Sequence, residues 1–508
     1  MGGFMEDKKY DGFSLCHLID LPKWSFKASF NLPVDTNARV SRVINVQSNL
    51  FEVKVVSSSG RTDYSGKVSV KILYVDVDGV FNTLSETTTF NENIIDSAIT
   101  SDCRVVLTNI QSSNAVEFDE RYLKLVCEFN GNAYFNMNIG MSVLNEDIEG
   151  VICKKSFLKA MTNIQDVDNS CTVDSEINIK GRVAKILLCE NKVCITDVVP
   201  FEGYALITGI VSTNILYEED DEEVVIKCKS EYSQFKTEIE LGMCDKSCMI
   251  DIESMVDIGH TVINTELNED SASVKCEISI QFAGFVYKEI NFEMNEDVYS
   301  IDNEISLNTT ERTIYHKIPI VSIKDEVNGE VELNANEPLI EDVLGVMGAT
   351  ATLTQSRIEE DTLTLEGLIG ATVLYKEESG NILSTYAEIP FVLTHKLEEF
   401  GNTACTHFDI VPISSKVKAK RGSVLDIDFE INVCGHIYIK ENRNVLENIK
   451  FGKQISYGDI AFQIYIIQPD EDMWRLCKRI RIAPNELLKT NKDLVEPLRA
   501  GDKVVVYR

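Results

Sequence analysis

The chain has 508 residues, 44% hydrophobic and 26% charged, a globular composition too long for one hydrophobic core, so three or four domains are expected. Its 81 Asp+Glu against 49 Lys+Arg give a net charge of −32, which argues against nucleic acid and anionic membrane as partners. No apolar run reaches the roughly 20 residues that span a bilayer, so membrane insertion is not expected.

Residues 1–27 read as an N-terminal extension. They carry no secretory signal, and Glu6 stands where an N-myristoylation signal wants Ser or Thr. The 14 Cys are scattered singly on apolar stretches such as Leu125-Val126-Cys127 and Leu476-Cys477. That pattern reads as small buried hydrophobes in a reducing cytosol and not as a disulfide framework.

One motif then recurs three times. Gly66-KVSVKIL-Tyr74, Gly209-IVSTNIL-Tyr217 and Gly367-LIGATVL-Tyr375 each place Gly eight residues before Tyr and run into an acidic or Gly-containing turn. A second element follows each: Leu123-KLVCEFNGNAYF, Ala272-SVKCEISIQFAGFVY and Val424-LDIDFEINVCGHIYI, with Glu128, Glu277 and Glu430 in common. Both elements alternate apolar and polar residues, the period of half-buried antiparallel strands, and Asp78-Gly79, Asn130-Gly131, Asn328-Gly329 and Ser379-Gly380 mark turns. The copies are too long for solenoid units and are expected to be domains: 28–160, 161–310 and 311–454, each an antiparallel β-sandwich or open barrel.

Residues 455–508 differ. From 461 onward nine Lys+Arg outnumber seven Asp+Glu. Ile464–Ile467 reads as a strand, Asp472-MWRLCKRI and Pro484-NELLKTN as short helices, and Lys503-VVVYR as a closing strand, in the order βααβ. This segment resembles the LysM module on Tyr465, Gln468-Pro469, Trp474, Leu476, Leu487, Asn491 and Gly501. It departs from that pattern at the usual glycan-receiving loop: Asp470 replaces Gly, Glu471 and Asp472 replace Asp-Thr/Ser, and Ala500 precedes Gly501 in place of Pro.

A LysM-like module ending three acidic β repeats resembles the SipL-type spore morphogenetic proteins of clostridia, whose repeated part is the SPOCS domain. The resemblance implies a scaffold without cofactor in the mother-cell cytoplasm. Its C-terminal module would bind the coat ATPase SpoIVA at the forespore surface. A peptidoglycan- or cortex-binding protein is the alternative it leaves. The partner surface is expected at Trp474, at the basic ridge of Arg475, Lys478, Arg479 and Arg481, and at Tyr465, Gln468 and Asp470. As an ordinary structural reading, Trp474 is core and the ridge a solvated helix face.

Enzymatic chemistry finds little purchase: no phosphate-binding loop, nucleophile elbow or zinc-protease motif is present, and there are six His. Cys405/His407 and Cys434/His436 are spaced two apart, so each pair shares a strand face and the four are a zinc candidate, though strand alternation makes such pairs common. Cys244 and Cys248 form a weaker pair. The acidic run Glu218–Glu223 lacks the ligand spacing of a calcium loop and reads as a solvated turn.

Overall fold

The computed structural model describes residues 11–34, 39–118, 122–143, 148–220, 225–267, 271–334, 336–359, 361–397, 404–457 and 462–507. It is almost entirely antiparallel β, with two short helices near the C-terminus. The strands in chain order begin with β1 (Asp11–Asp20), β2 (Trp24–Pro33), β3 (Val40–Ser58), β4 (Arg61–Asp76), β5 (Phe81–Ile95), β6 (Arg104–Phe118) and β7 (Tyr122–Val143). Next come β8 (Val151–Lys180), β9 (Val183–Phe201), β10 (Tyr204–Glu219), β11 (Val225–Glu240), β12 (Cys248–Leu267) and β13 (Ser271–Ser300). These are followed by β14 (Asn303–Glu332), β15 (Ile340–Glu359), β16 (Thr362–Glu377), β17 (Ile382–Lys396), β18 (Ala404–Lys420) and β19 (Val424–Gln454). The chain closes with β20 (Phe462–Ile466), α1 (Met473–Ile480), α2 (Pro484–Thr490) and β21 (Lys503–Tyr507).

Among the described residues seven sheets result. The sheet of β1, β2, β6 and β7 shares one core with β3-β4-β5, the sheet β12-β13-β8 with β11-β10-β9, and β14-β19-β18 with β15-β16-β17. Period-two burial is cleanest in β2, where Trp24, Phe26, Ala28, Phe30 and Leu32 point inward and every intervening residue is exposed. The expected borders at 160/161 and 310/311 fall inside β8 and β14, which run unbroken for 30 residues each. In the first pair the same path is cut at Pro22, which has no N–H for the ladder, so β1 and β2 pair separately with β7. The segment read as an extension thus supplies strands from residue 11 onward.

The recurring motif explains the close packing between sheets. Gly66, Gly209 and Gly367 sit directly opposite Phe90, Phe235 and Phe391 on the next strand, and a Cβ at each Gly would come within 2.5–3.0 Å of that Phe ring. Glycine leaves room for the ring to lie across its own strand. The residues before the motif Tyr are buried on both faces: Ile72, Ile215 and Val373 enter their own cores, whereas Leu73, Leu216 and Leu374 meet one another in a shared cluster. That second burial departs from the half-buried strand expected.

The cluster joins the three sheet pairs in a ring: β5 packs on β9, β11 on β15, and β17 on β3. The long strands β7, β13 and β19 each carry Gly-x-x-Tyr, ending at Tyr134, Tyr287 and Tyr438, and these three rings are buried together. A Cβ at Gly284 would lie 1.9 Å from the Asp251 carbonyl oxygen and one at Gly435 2.1 Å from that of His407, so the neighbouring strand approaches too closely for any side chain.

At this junction Asp251, fully buried, lies 2.8 Å from His436 Nε2 and accepts hydrogen bonds from the hydroxyls of Tyr134 (3.2 Å) and Tyr438. Nearby Glu253 and Asp409 share a hydrogen bond, and burial pushes both carboxyls above the usual carboxylate range. A folded pKa above the unfolded one means that the fold holds the proton more tightly, so this contribution is lost as pH rises through the raised value. Glu253→Gln should therefore gain stability relative to the parent between about pH 5 and about pH 8, read from denaturant midpoints. A gap that stays constant, or moves the other way, contradicts the shared proton.

Candidate functional site

The C-terminal segment has its own small core of Ile467, Leu476, Cys477, Ile480, Leu487, Val504 and Val506, to which Tyr299 of β13 contributes. Helix α1 starts because the Asp472 side chain accepts from the Arg475 N–H at 2.7 Å, and stops because Arg481 turns left-handed at φ 56°. Leu476, Cys477 and Ile480 form its buried stripe. Helix α2 opens with Pro at its first turn. Asn491 then hydrogen-bonds both the N–H and C=O of Val505, acting as a substitute strand along the free edge of β21.

Trp474 is half-buried. Its indole N–H donates to Asp297 at 2.8 Å and its ring meets Tyr299 edge-on at 5.1 Å. Lys478 reaches the other Asp297 oxygen at 2.5 Å, the Tyr299 hydroxyl donates to the Ile482 carbonyl at 2.6 Å, and Arg481 donates to the Asn303 carbonyl at 3.3 Å. Three of the five residues expected on a partner-facing helix are thus engaged with the end of β13 and the start of β14. Arg479 grips Glu471 through two nitrogens at 2.7 and 2.9 Å and donates to the Ile466 carbonyl, and this partner holds the Glu471 carboxyl below its usual range. Arg475 donates to the Asp470 carbonyl at 3.1 Å.

Tyr465 is half-buried and bonded to Gln463, Gln468 is exposed with its backbone N–H on Glu471, and Asp470 is exposed at φ 58°, a conformation that suits Gly. The basic groups therefore bind within the chain: Trp474, Lys478 and Arg481 as a latch, Arg475 and Arg479 as braces of the loop before α1.

One outward face is apolar. In β20 the alternation puts Phe462, Ile464 and Ile466 on the open face at 56%, 56% and 57% exposure, and their register partners on β21 are Tyr507, Val505 and Lys503. Tyr507 is 65% exposed, with its ring 6.4 Å from that of Phe462. Sequence reading found the strand but not this face. The signal was the spacing of Phe462, Ile464 and Ile466, which assigns either face to the core until the helices are placed.

The zinc candidate does not assemble among the residues whose side chains are described. His407 lies opposite His436 in the register, but His407 pairs with Asp20 at 3.4 Å, His436 with Asp251, and Cys434 lies 2.8 Å from Cys194; the Cys405 side chain is outside the described set. Among the described residues no group of three or more His, Cys, Asp and Glu is placed to hold a metal ion. Cys244 and Cys248 are buried on either side of a turn, and residues 221–223 of the acidic run lie outside the described residues.

If Asp297 is the latch, Asp297→Ala should raise amide exchange at 473–482 and 297–303 about fivefold, the effect of losing about 1 kcal/mol of partly exposed charged hydrogen bonding. The sheets at 40–95 should be unaffected, and unchanged exchange at both latch segments would exclude it. No family model, no curated protein and no solved structure matches this chain.

Proposed function

We propose that the chain is a non-enzymatic scaffold of spore-coat assembly of the SipL type. In this reading the three sheet pairs are SPOCS-like β-sandwich repeats, and residues 455–508 are a LysM-like module that docks the coat ATPase SpoIVA at the forespore surface from the mother-cell cytoplasm. The motif recurrence and the βααβ order support it. The observation that carries it is the open face of β20–β21, where Phe462, Ile464 and Ile466 stand exposed together on a module whose core is filled from the other side. Clustered aromatic and branched aliphatic side chains on one rigid sheet face are the composition of a protein-binding centre.

Glycan binding by the module is less well supported. The loop from Gln468 to Asp472 is braced internally by Glu471 and Arg479, and Asp472 caps α1. Carboxylates so engaged fix the loop and do not offer hydrogen bonds to a sugar.

The reading is tested with the full chain. Ile464→Glu should weaken binding to the purified ATPase at least about thirtyfold, since a central interface residue carries about 2 kcal/mol or more, while leaving the melting curve unchanged. Binding retained by Ile464→Glu, or capture of peptidoglycan that the same substitution abolishes, would refute the proposed face or its proposed partner respectively.

A further inference from the structure

A cavity of about 760 Å³ lies inside the ring, walled by residues of all three sheet pairs. On one wall Gln47, Lys71 and Ser85 stand directly opposite one another across β3, β4 and β5, so their side chains leave the sheet on the same face about 5 Å apart. Lys71 is half-buried and makes no ion pair or hydrogen bond among the described residues. Gln47 and Arg104 also stand on the wall, but their Nε2 and Nε atoms, without a partner among the described residues, are covered by neighbouring atoms and do not open onto the cavity. In a folded interior such groups are ordinarily satisfied.

The cavity's carboxyls do not serve them. Asp168 is held by the outer guanidinium nitrogen of Arg104 at 3.0 Å, and Glu190 accepts from the Gly348 N–H at 3.0 Å. Glu253 and Asp409 bond to each other. Lys192, also on the wall, donates to the Ala349 carbonyl, and Lys54 is exposed.

Comparison among the three motif copies shows that packing does not demand this lysine. The positions matching Lys71 are Asn214 and Thr372. Asn214 donates across its interface to the Val346 carbonyl at 2.6 Å, and the space left beside it is only about 20 Å³. At the first interface the same position carries a cation, and the gap beside it stays open. Copies of one motif that close one interface and open another differ in what the open one must hold.

We propose that this cavity binds a small polyvalent anion, one presenting several phosphate or carboxylate oxygens, through the Lys71 ammonium and the Ser85 hydroxyl. Such an anion supplies the acceptor that Lys71 lacks, and a charge-assisted bond to a desolvated ammonium is stronger than one in water. Lys54 stands exposed on the wall and draws an anion toward the cavity against the chain's overall negative field.

The test is calorimetric titration of the full chain with pyrophosphate and, separately, with citrate, at ionic strength matched by sodium chloride. Lys71→Asn and Lys71→Thr carry the residues of the other two copies and so preserve packing. The expected result is one saturable site for at least one probe, weakened about tenfold or more in both variants, with acetylation of Lys71 slowed by the same probe. Pyrophosphate alone would identify the phosphate source and citrate alone the carboxylate. Heats indistinguishable from dilution with both probes at millimolar concentration, or equal affinity in parent and variants, overturn the proposal.

Discussion

Closure of the ring depends on one buried carboxylate. Asp251 belongs to the second sheet pair, yet it takes His436 and the Tyr438 hydroxyl from the third and the Tyr134 hydroxyl from the first. A carboxylate with no exposed surface is tolerated only where several donors converge on it, and here the donors come from segments far apart in sequence. Elsewhere the shared Leu73, Leu216 and Leu374 cluster adds apolar contact, which gives area without orientation, and a few side chains such as Asn214 bond to backbone across it. The polar junction specifies which strands face each other, because any rotation of one pair leaves a buried hydroxyl or imidazole without its partner.

Much of this was legible in the residues. The motif running from Gly to Ile-Leu-Tyr or Val-Leu-Tyr marks β4, β10 and β16, and the second recurring element marks the long strands β7, β13 and β19. The motif glycines also hold a reason visible only in three dimensions, since Phe90, Phe235 and Phe391 lie on the following strand. Boundaries were not legible, because β8 and β14 each do the work that β1 and β2 share in the first pair, and nothing in an alternating pattern says where one strand ends when both halves continue the same ladder. The borders placed at 160 and 310 therefore cut strands that are continuous. Nor does alternation alone say that a strand is covered on both faces; Leu216 and Leu374 look like ordinary neighbours of a core residue until the ring is closed.

The C-terminal segment divides in the same way. Its element order and the helix capped by Asp472 follow from local chemistry, and Trp474 is expected on a partner surface. Its place is different from a free contact surface: Asp297 lies 177 residues away in sequence and collects both the indole and Lys478. Long-range ion pairing of this kind leaves no local trace. With Trp474 and Lys478 engaged on Asp297, the apolar side of β20 is left open, and the latch ties the segment that carries it to the end of β13.

The central claim, that three sheet pairs are held as one body through Asp251, is tested most directly by hydrogen exchange on Asp251→Ala. Removing the carboxylate strands His436 and two tyrosine hydroxyls in the interior, a loss of about 3–5 kcal/mol. Protection should fall together around Tyr134, Tyr287 and Tyr438, one site in each pair. Loss confined to β12 and β13, with the strands of the first and third pairs as protected as before, would contradict it.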